Sequence, residues 1–309
     1  MKNHKIIPPK IQIETVAGLC NLRCIMCPIE HSKRKEIMNN ERFTKILTKF
    51  LPYLPYQEKL SFCGLGEPLL DKDVHKKIKV AKKLGFKGIG IYTNGTLLDE
   101  KMSQRLLDAG LDALIISIDG FTNKTQSAIR VGSNLNEIVS NLEQFIALRE
   151  RSKAKTKIII RFNRQELNKH EEENFCNFWR ERIKPAYNDM ILVYDIHNCG
   201  GYLPGFNKKL APALLEKIKK LKCPEIYERI MINSDGSISF CCGDQFGHYQ
   251  IGNVFGDDPI KLYNSKYYIH YRRLMEKGKI LELELCKNCS IPYSIATKRS
   301  TTKNKEESR

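Results

Sequence analysis

The sequence predicts an α/β fold: a partial, TIM-like (β/α)6 barrel followed by a small α+β domain. Three observations support this prediction. The first two-thirds of the chain alternates strand and helix patterns six times, the pattern changes after residue 200, and a hairpin signal follows. Six units are too few for the usual eight-stranded closed barrel, so the sheet is expected to stay open or splayed. In either form, ligands bind at the carboxyl ends of the strands.

Short apolar or alternating segments bounded by turn residues predict six strands. They are expected at residues 11–16, 60–63, 88–92, 113–118, 158–160 and 190–194. Amphipathic segments that end at glycine or at a polar break predict the helices between them. These helices are expected at residues 40–51, 73–84, 99–109, 135–151 and 171–182. Because strands and helices alternate, the sheet is expected to be parallel with right-handed crossovers.

The pattern changes beyond residue 200, where a loop, a helix at 213–221 and a hairpin follow. Asp235-Gly236 supplies the positive-φ residues that a tight hairpin turn favours. A further helix is expected at 267–277. We therefore divide the chain into a barrel domain at 8–206, a small β-hairpin-plus-helix domain at 207–295 and a polar, disordered tail at 296–309.

Composition and charge disfavour several classes of protein. The chain has 309 residues, of which 41% are hydrophobic and 28% are charged, near the averages for globular proteins. No apolar run approaches the roughly 20 residues of a membrane span, and the first residues lack the apolar core of an export signal. A cytoplasmic protein without a membrane partner is therefore expected. The net charge of +17 permits acidic partners, but the lysines are spread along helix faces, which disfavours nucleic acid.

Eleven cysteines in a chain without an export signal indicate metal or redox chemistry rather than disulfides. Cys20, Cys24 and Cys27 follow the first strand, where this fold places active-site loops. A tetrahedral zinc site would need a fourth ligand, for which His31 is a candidate. A [4Fe–4S] cluster normally takes four cysteines, so three would leave one iron open to a substrate or cosubstrate.

The segment at 20–28, which reads CNLRCIMCP, resembles the signature of radical S-adenosylmethionine (SAM) enzymes. The resemblance implies a [4Fe–4S] cluster on the three cysteines, with SAM chelated to the open iron through its amino and carboxylate groups. It further implies that an electron from the cluster cleaves SAM to a 5′-deoxyadenosyl radical, which abstracts a hydrogen atom from a substrate C–H bond. A flavodoxin- or ferredoxin-type protein would supply that electron.

Polar loops at the next strand ends agree with this resemblance. The segment at 64–68, GLGEP, is similar to the Gly-Gly-Glu-type loop that holds the SAM amino group in that family, although Leu65 stands where glycine is usual. Ordinary turn formation remains the alternative for Asn94 and Asp119, since Asn-Gly and Asp-Gly are common turn pairs. The resemblance implies SAM contacts from Met26, Gly64, Gly66, Glu67, Asn94, Ser117, Asp119 and Arg130.

A second set of cysteines lies nearer the carboxyl end of the chain. Its spacing, with a Cys-x2-Cys pair at the end, is also compatible with a zinc ribbon. The region resembles the SPASM/twitch extension of radical SAM enzymes, which implies a second, auxiliary [4Fe–4S] cluster that accepts an electron from a substrate radical. The ligands that this resemblance implies are Cys223, Cys241, Cys286 and Cys289.

The layout of two clusters resembles that of 2-deoxy-scyllo-inosamine dehydrogenase-like enzymes. This resemblance implies that a small-molecule substrate, a sugar or aminocyclitol alcohol, is oxidised to a ketone with the auxiliary cluster as electron acceptor. The alternatives are a radical SAM epimerase and an enzyme that modifies a peptide or protein substrate. A zinc-binding nucleic-acid-binding protein is a more remote alternative.

Candidate catalytic residues lie near the end of the sixth strand and in the second cysteine set. Dehydrogenation needs a base for the hydroxyl proton, for which Asp195, His197 and Tyr202 are candidates. Epimerisation needs a thiol that returns a hydrogen atom, which Cys199 or Cys242 would supply. The alternative explanations are ordinary loop structure for the polar residues and burial as small core residues for the cysteines.

Overall fold

The computed structural model describes residues 5–201, 203, 212–247, 249, 251–297 and 301–302. Its strands are β1 (Lys10–Ile13), β2 (Val16–Ala17), β3 (Arg23–Cys24), β4 (Glu36–Ile37), β5 (Lys59–Phe62), β6 (Ile89–Thr93), β7 (Ala113–Ser117), β8 (Arg130–Val131), β9 (Lys157–Arg164), β10 (Met190–Asp195), β11 (Arg229–Ile232), β12 (Ile238–Ser239) and β13 (Thr301–Thr302). Its helices are α1 (Asn40–Thr48), α2 (Val74–Lys83), α3 (Glu100–Asp108), α4 (Asn123–Ile129), α5 (Leu135–Ser152), α6 (Glu172–Arg182), α7 (Pro212–Lys219), α8 (Glu225–Glu228), α9 (Pro259–Tyr263), α10 (Lys266–Glu276) and α11 (Ser290–Ala296). None of these helices combines the length and the apolar character needed to cross a lipid bilayer.

Six parallel strands form the centre of the main sheet, in the order β1-β5-β6-β7-β9-β10. Helices connect each of these strands to the next, as the alternating pattern of the sequence predicts. The α/β fold with a partial (β/α)6 barrel is therefore confirmed. The described part of the sheet stays open, because β11 and β12 extend it beyond β1 and β13 extends it beyond β10.

The hairpin assigned from sequence to the small domain is joined to the main sheet. β11 pairs in parallel with β1 along its whole length, and β12 pairs antiparallel with β11. Ile230 and Ile232 are buried there, so the hairpin covers an edge that β1 would otherwise expose. The domain boundary expected near residue 206 lies outside the described residues. Within the segment expected to be a disordered tail, Thr301–Thr302 pair antiparallel with β10.

Side-chain oxygens fix where several helices begin. Asn39 accepts a hydrogen bond from the Arg42 N–H at the start of α1, and Asp99 accepts one from the Met102 N–H at the start of α3. Each such cap stabilises a helix by about 1 kcal/mol. The caps therefore set the lengths of the loops that precede α1 and α3, which lie at the ligand-binding end of the sheet.

Residues of each strand alternate between the outer, helix-covered face of the sheet and its inner face. In β9, Ile158, Ile160 and Phe162 are fully buried in the hydrophobic core. The intervening Ile159 and Arg161 line a cavity on the inner face. The core therefore fills the space between sheet and helices, and the inner face is left for ligands.

Candidate active site

Three cysteines lie on one loop beyond the carboxyl end of β1. Cys24 belongs to β3, which pairs antiparallel with β8, and the Cys27 N–H donates to the Cys24 carbonyl oxygen at 3.0 Å. The Cys20 sulfur accepts from the Leu22 N–H at 3.4 Å. As a result, all three thiols line one cavity of about 220 Å³, which we call the cysteine cavity.

The arrangement of these thiols suits a cluster better than a single ion. In the described ranges, no group of three or more His, Cys, Asp or Glu side chains is close enough to hold one metal ion, so a zinc site with His31 has no geometric support. In a [4Fe–4S] cluster each thiolate binds a different iron, which allows wider spacing. Burial raises the pKa of all three thiols, that of Cys27 to about 11, and bound iron would offset this by stabilising the thiolates.

The loop after β5 packs directly against the cysteine loop. The Glu67 N–H donates to the Leu19 carbonyl oxygen at 2.9 Å. A Cβ atom added at Gly66 would lie 2.3 Å from the Val16 carbonyl oxygen, so this position has no room for a side chain. Gly64 and Gly66 both line the cysteine cavity, which makes the backbone of this loop accessible to a ligand there.

The Glu67 carboxylate accepts hydrogen bonds from neighbouring groups of the protein, although the residue lines the cysteine cavity. Its oxygens accept from Thr93 Oγ1 at 2.7 Å, from the Asn94 N–H at 2.8 Å and from the Leu69 N–H at 3.0 Å. Burial raises the pKa of Glu67, and these three donors oppose that shift. The SAM contact predicted for Glu67 stays a prediction, and in the structure its side chain also joins the loop after β5 to the end of β6.

Asn94 connects the end of β6 to the cysteine loop. Its Nδ2 donates to Asn21 Oδ1 at 3.0 Å and lies 3.8 Å from the Cys20 sulfur. Its Oδ1 accepts from Thr96 Oγ1 at 2.7 Å. The structure thus brings several of the predicted SAM-binding residues together around the cysteine cavity. These residues are Met26, Gly64, Gly66, Asn94, Ser117 and Arg130.

Asp119 does not line the cysteine cavity, and its predicted SAM contact stays a prediction. Its fully buried carboxylate pairs with Arg130, with Nη2 and Oδ2 2.7 Å apart, and accepts from the Asn163 N–H at 2.7 Å. Arg130 does line the cavity, and its Nη1 donates to the Cys24 sulfur at 3.7 Å. Arg130 Nε is buried without a hydrogen-bond partner among the described residues, which leaves a donor for an anionic group.

A second cavity, of about 710 Å³, adjoins the cysteine cavity and occupies the inner face of the sheet; we call it the barrel cavity. Its volume lies within the range of about 300–1,000 Å³ that is typical of small-molecule sites. Its apolar wall includes Ile115, Ile159, Leu192, Met231 and Ile295. Its polar wall includes Gln12, Tyr92, Arg161, Tyr194, Glu225 and Arg229. The residues that line both cavities are Cys63, Gly64, Leu65, Tyr92, Arg161, His197 and Gln245.

Asp195 and His197 line the barrel cavity at the end of β10. Asp195 pairs with Arg164 at 3.0 Å. The Cys199 N–H donates to His197 Nδ1 at 3.3 Å, which assigns the proton of the neutral ring to Nε2. Burial and the charge of Arg161 lower the pKa of His197 to about 4. At neutral pH His197 is therefore uncharged and offers a hydrogen-bond donor to the cavity.

The two candidate thiols lie on different cavity walls. Cys199 lines the cysteine cavity, and its sulfur lies 3.7 Å from His197 Nδ1. Burial raises the pKa of Cys199 to about 12, so it is a thiol at neutral pH. Cys242 lines the barrel cavity. Tyr202, the third candidate base, lies outside the described residues.

The second set of cysteines forms a group of its own next to the loop that follows β10. Burial raises the pKa of Cys241, and the charges of the three other thiolates raise it further, which places the four near one another. Asn198 Nδ2 donates to the Asn288 carbonyl oxygen at 2.6 Å and so ties this group to the barrel. The four cysteines are Cys223, Cys241, Cys286 and Cys289.

Sequence reasoning missed several polar residues of the barrel cavity, among them Arg161, Glu225 and Arg229. One signal was present for Arg161, because a charged residue interrupts the apolar run of β9. Glu225 and Arg229 lie at the start of α8 and of β11, and only the pairing of β11 with β1 brings them to the cavity. That pairing has no local sequence signature.

Comparison with known proteins identifies the family. The chain matches the Radical SAM superfamily over residues 15–172, more than half of its length. The protein belongs to the radical SAM superfamily. A second match, to the SPASM iron-sulfur cluster-binding domain, covers residues 223–290 and contains all four cysteines of the second group. The cofactors of this radical SAM protein are therefore SAM and [4Fe–4S] clusters, and an iron–sulfur domain replaces the zinc ribbon alternative.

Several curated proteins resemble this radical SAM protein in sequence. A probable GTP 3',8-cyclase from Methanococcus maripaludis is 34% identical over 134 residues, 43% of this chain and 44% of that protein. A GTP 3',8-cyclase from Clostridium botulinum is 28% identical over 249 residues, 74% of each chain. The chain thus spans less than half the length of the first curated relatives it matches, and most of the length of the second example.

Several solved structures share the fold at low sequence identity. BtrN in complex with AdoMet and 2-DOIA has a TM-score of 0.61 at 18% identity, covering 92% of this chain and 93% of that chain. SuiB from Streptococcus suis bound to the precursor peptide SuiA has a TM-score of 0.62 at 16% identity, covering 87% of this chain and 68% of that chain. At these identities the likeness extends to the fold alone.

Proposed function

We propose that this radical SAM protein is an oxidoreductase that removes a hydrogen atom from a sugar-type alcohol in the barrel cavity and converts it to a ketone. The order of three sites carries this proposal. The cysteine cavity adjoins the barrel cavity, and the barrel cavity reaches the second cysteine group through Cys242. A substrate in the middle site would face hydrogen abstraction on one side and an electron acceptor on the other.

On one side, Cys20, Cys24 and Cys27 would hold the SAM-binding cluster. When bound, SAM and the reduced cluster together supply the carbon radical that takes the hydrogen atom. The chain would orient SAM with the backbone of the glycine loop and with Arg130 Nε, which has no hydrogen-bond partner among the residues that the structure describes. Asp119 would keep that guanidinium in place through its 2.7 Å ion pair.

On the other side, the four thiols of the second group are enough to ligate every iron of an auxiliary cluster. A cluster held in this way would have no open iron and would be suited to electron transfer. Cys242 lines the barrel cavity, and its burial-raised pKa is raised further by the charges of Glu225, Cys241 and Cys289. The barrel cavity and the auxiliary site therefore share a wall, and the electron left on the substrate would have a short path.

A ketone forms only when the hydroxyl proton leaves as well as the hydrogen atom and the electron. We assign the proton-accepting role to Asp195, whose carboxylate lines the barrel cavity. His197, with its proton on Nε2, would donate a hydrogen bond to the same oxygen. The likeness to BtrN in complex with AdoMet and 2-DOIA makes 2-DOIA a starting compound for the substrate search.

A second candidate function is cyclisation of GTP. The Clostridium botulinum relative named GTP 3',8-cyclase matches over 74% of the chain, and the barrel cavity of about 710 Å³ is large enough for a nucleotide. Peptide modification is the third candidate, and the fold likeness to SuiB with its precursor peptide supports it. The three candidates differ in the compound that should stimulate SAM cleavage.

The test uses the anaerobically reconstituted protein with SAM, a strong reductant and one candidate compound at a time. We expect a sugar or cyclitol to raise 5′-deoxyadenosine formation by about tenfold over the substrate-free rate, with a product that has lost two hydrogens. Stimulation by GTP alone would support the cyclase instead. The Cys24→Ala variant is the matched control and should form no 5′-deoxyadenosine with any compound.

A further inference from the structure

We propose that Arg161 binds an anionic group of the substrate, a phosphate or a carboxylate. The preferred alcohol is then an acidic sugar derivative rather than a neutral sugar or an aminocyclitol. This inference rests on the proposed function in one respect only, since it takes the barrel cavity as the substrate site. It does not depend on which bond of the substrate reacts.

Arg161 is the cation of the barrel cavity that lacks a carboxylate partner within the described part of the chain. Each carboxylate that lines this cavity is already paired with a different arginine. A guanidinium without a counter-ion in a largely apolar site attracts anions strongly. The three existing pairs are Glu14–Arg34 at 3.0 Å, Glu225–Arg229 at 2.9 Å and Asp195–Arg164 at 3.0 Å.

Two tyrosine rings fix the guanidinium group of Arg161. Its Cζ lies 5.5 Å from the ring centre of Tyr92 and 5.4 Å from that of Tyr194. Ring contacts stabilise the cation, but its N–H groups still need acceptors. Arg161 Nε is buried and has no hydrogen-bond partner among the described residues, whereas buried polar atoms in proteins are normally paired. A bidentate anion would supply the missing acceptors.

Two titratable groups that interact electrostatically with Arg161 are neutral. His197 has its pKa lowered to about 4 by burial and by the charge of Arg161. Burial raises the pKa of Cys63, and Arg161 opposes this shift only in part. Both side chains are therefore uncharged at neutral pH and do not compensate the guanidinium. The ammonium group of an aminocyclitol would be repelled at this position, whereas a phosphate or carboxylate would be attracted.

Arg161 also lies where a substrate anchor would be useful, because it lines both cavities. Along β9, Ile159 on one side of Arg161 lines the barrel cavity, and Asn163 on the other side lines the cysteine cavity. The SAM carboxylate is the other anion expected near this boundary. Arg130 offers that group a separate cation, since it lies beside Cys24 and its Nε has no partner in the described ranges. We therefore assign Arg161 to the substrate.

The experiment measures binding to reconstituted holoenzyme by titration calorimetry, with SAM at saturating concentration. The probes are glucose, glucose 6-phosphate, glucuronate and glucosamine, which differ mainly in charge. We expect the two anionic probes to bind about tenfold more tightly than glucose, and glucosamine to bind most weakly. In Arg161→Met, this preference should disappear while glucose binding stays the same. Arg161→Lys keeps the positive charge but loses the paired N–H donors of the guanidinium, so it should recover part of the preference for anionic probes.

Arg151→Met is the matched control, because it removes one positive charge from an exposed position on α5 and should leave all four affinities unchanged. Equal binding of anionic and neutral probes to the wild type would overturn the inference. So would an Arg161→Met variant that binds SAM about tenfold more weakly but keeps its anion preference. Because binding is measured without turnover, a failed dehydrogenation assay with an intact anion preference would count against the proposed reaction alone.

Discussion

Arg130 and Asp119 form a buried ion pair, with Arg130 Nη2 2.7 Å from Asp119 Oδ2. The side chain of Asp119 is fully buried and that of Arg130 is 9% exposed. The same guanidinium donates to the Cys24 sulfur from Nη1. One carboxylate outside the cavity therefore fixes the position of a cation that contacts the cysteine loop.

Removal of this carboxylate should weaken both the fold and SAM binding. Asp119→Asn leaves Arg130 buried without its counter-ion, which typically costs about 3–5 kcal/mol in the free energy of unfolding. Denaturant unfolding and SAM titration of the reconstituted protein check this. Glu282→Gln is the matched control, because it removes a 61%-exposed partner of Lys279 and should cost less than about 1 kcal/mol. Equal losses in the two variants would contradict the positioning role of Asp119.

Glu67→Gln should weaken SAM binding although its carboxylate is already occupied within the protein. The glutamate accepts hydrogen bonds from three donors, whereas the NH2 group of glutamine would face at least one of them. We expect a loss of about 1–3 kcal/mol in stability and a weaker affinity for SAM, because Asn94 loses its anchor. Glu58→Gln, at an exposed position, is the control and should change neither quantity.

The central sheet was predictable because its signals are local. The segment at 190–194 predicts a strand, and the structure has β10 at Met190–Asp195. The pair β3 and β8 was missed because each strand has only two residues and neither shows periodicity. The docking of β11 against β1 was missed for a related reason, since a hairpin carries no signal for which distant edge it will join.

The candidate site divides in the same way. Cys20, Cys24 and Cys27 could be predicted because the motif is contiguous in sequence. The role of Asp119 could not be read from sequence, because it depends on a partner 11 positions away whose direction is set by the β3–β8 pairing. The anion-binding role proposed for Arg161 follows only from the structure, which pairs each described carboxylate of the barrel cavity with a different arginine.

His197 should make the protein less stable in mild acid. Its folded-state pKa of about 4 lies below the ordinary value of 6.5, so between these values the unfolded chain binds more protons than the folded one. This contribution to stability is present above pH 6.5 and is lost as pH falls toward 4, by at most about 3 kcal/mol. Compared with wild type, His197→Gln should show a flatter pH dependence of unfolding. His170→Gln, at a side chain that is 68% exposed, should follow the wild-type curve.

Cys199 separates dehydrogenation from epimerisation. Its buried thiol stays protonated at neutral pH and would be suited to return a hydrogen atom to a substrate radical. If the reaction is dehydrogenation, Cys199→Ala should lose less than about tenfold in rate, since alanine tolerates the backbone φ of 49° no worse than cysteine does. The product formed in deuterated water should contain no carbon-bound deuterium. Carbon-bound deuterium that is present in the wild-type product but absent from the Cys199→Ala product would support the epimerase.

The second cysteine group should carry a cluster that product formation needs and SAM cleavage does not. We expect about eight irons per wild-type chain and about four in Cys286→Ala, because one cluster loses a ligand. The variant should still form 5′-deoxyadenosine in the presence of substrate, but the ketone should be absent, since the substrate radical has no electron acceptor. Cys176→Ala is the matched control, because Cys176 is buried on α6 within the hydrophobic core. This variant should keep the iron content of the wild type. Full ketone formation by Cys286→Ala would mean that the electron leaves the substrate by another route.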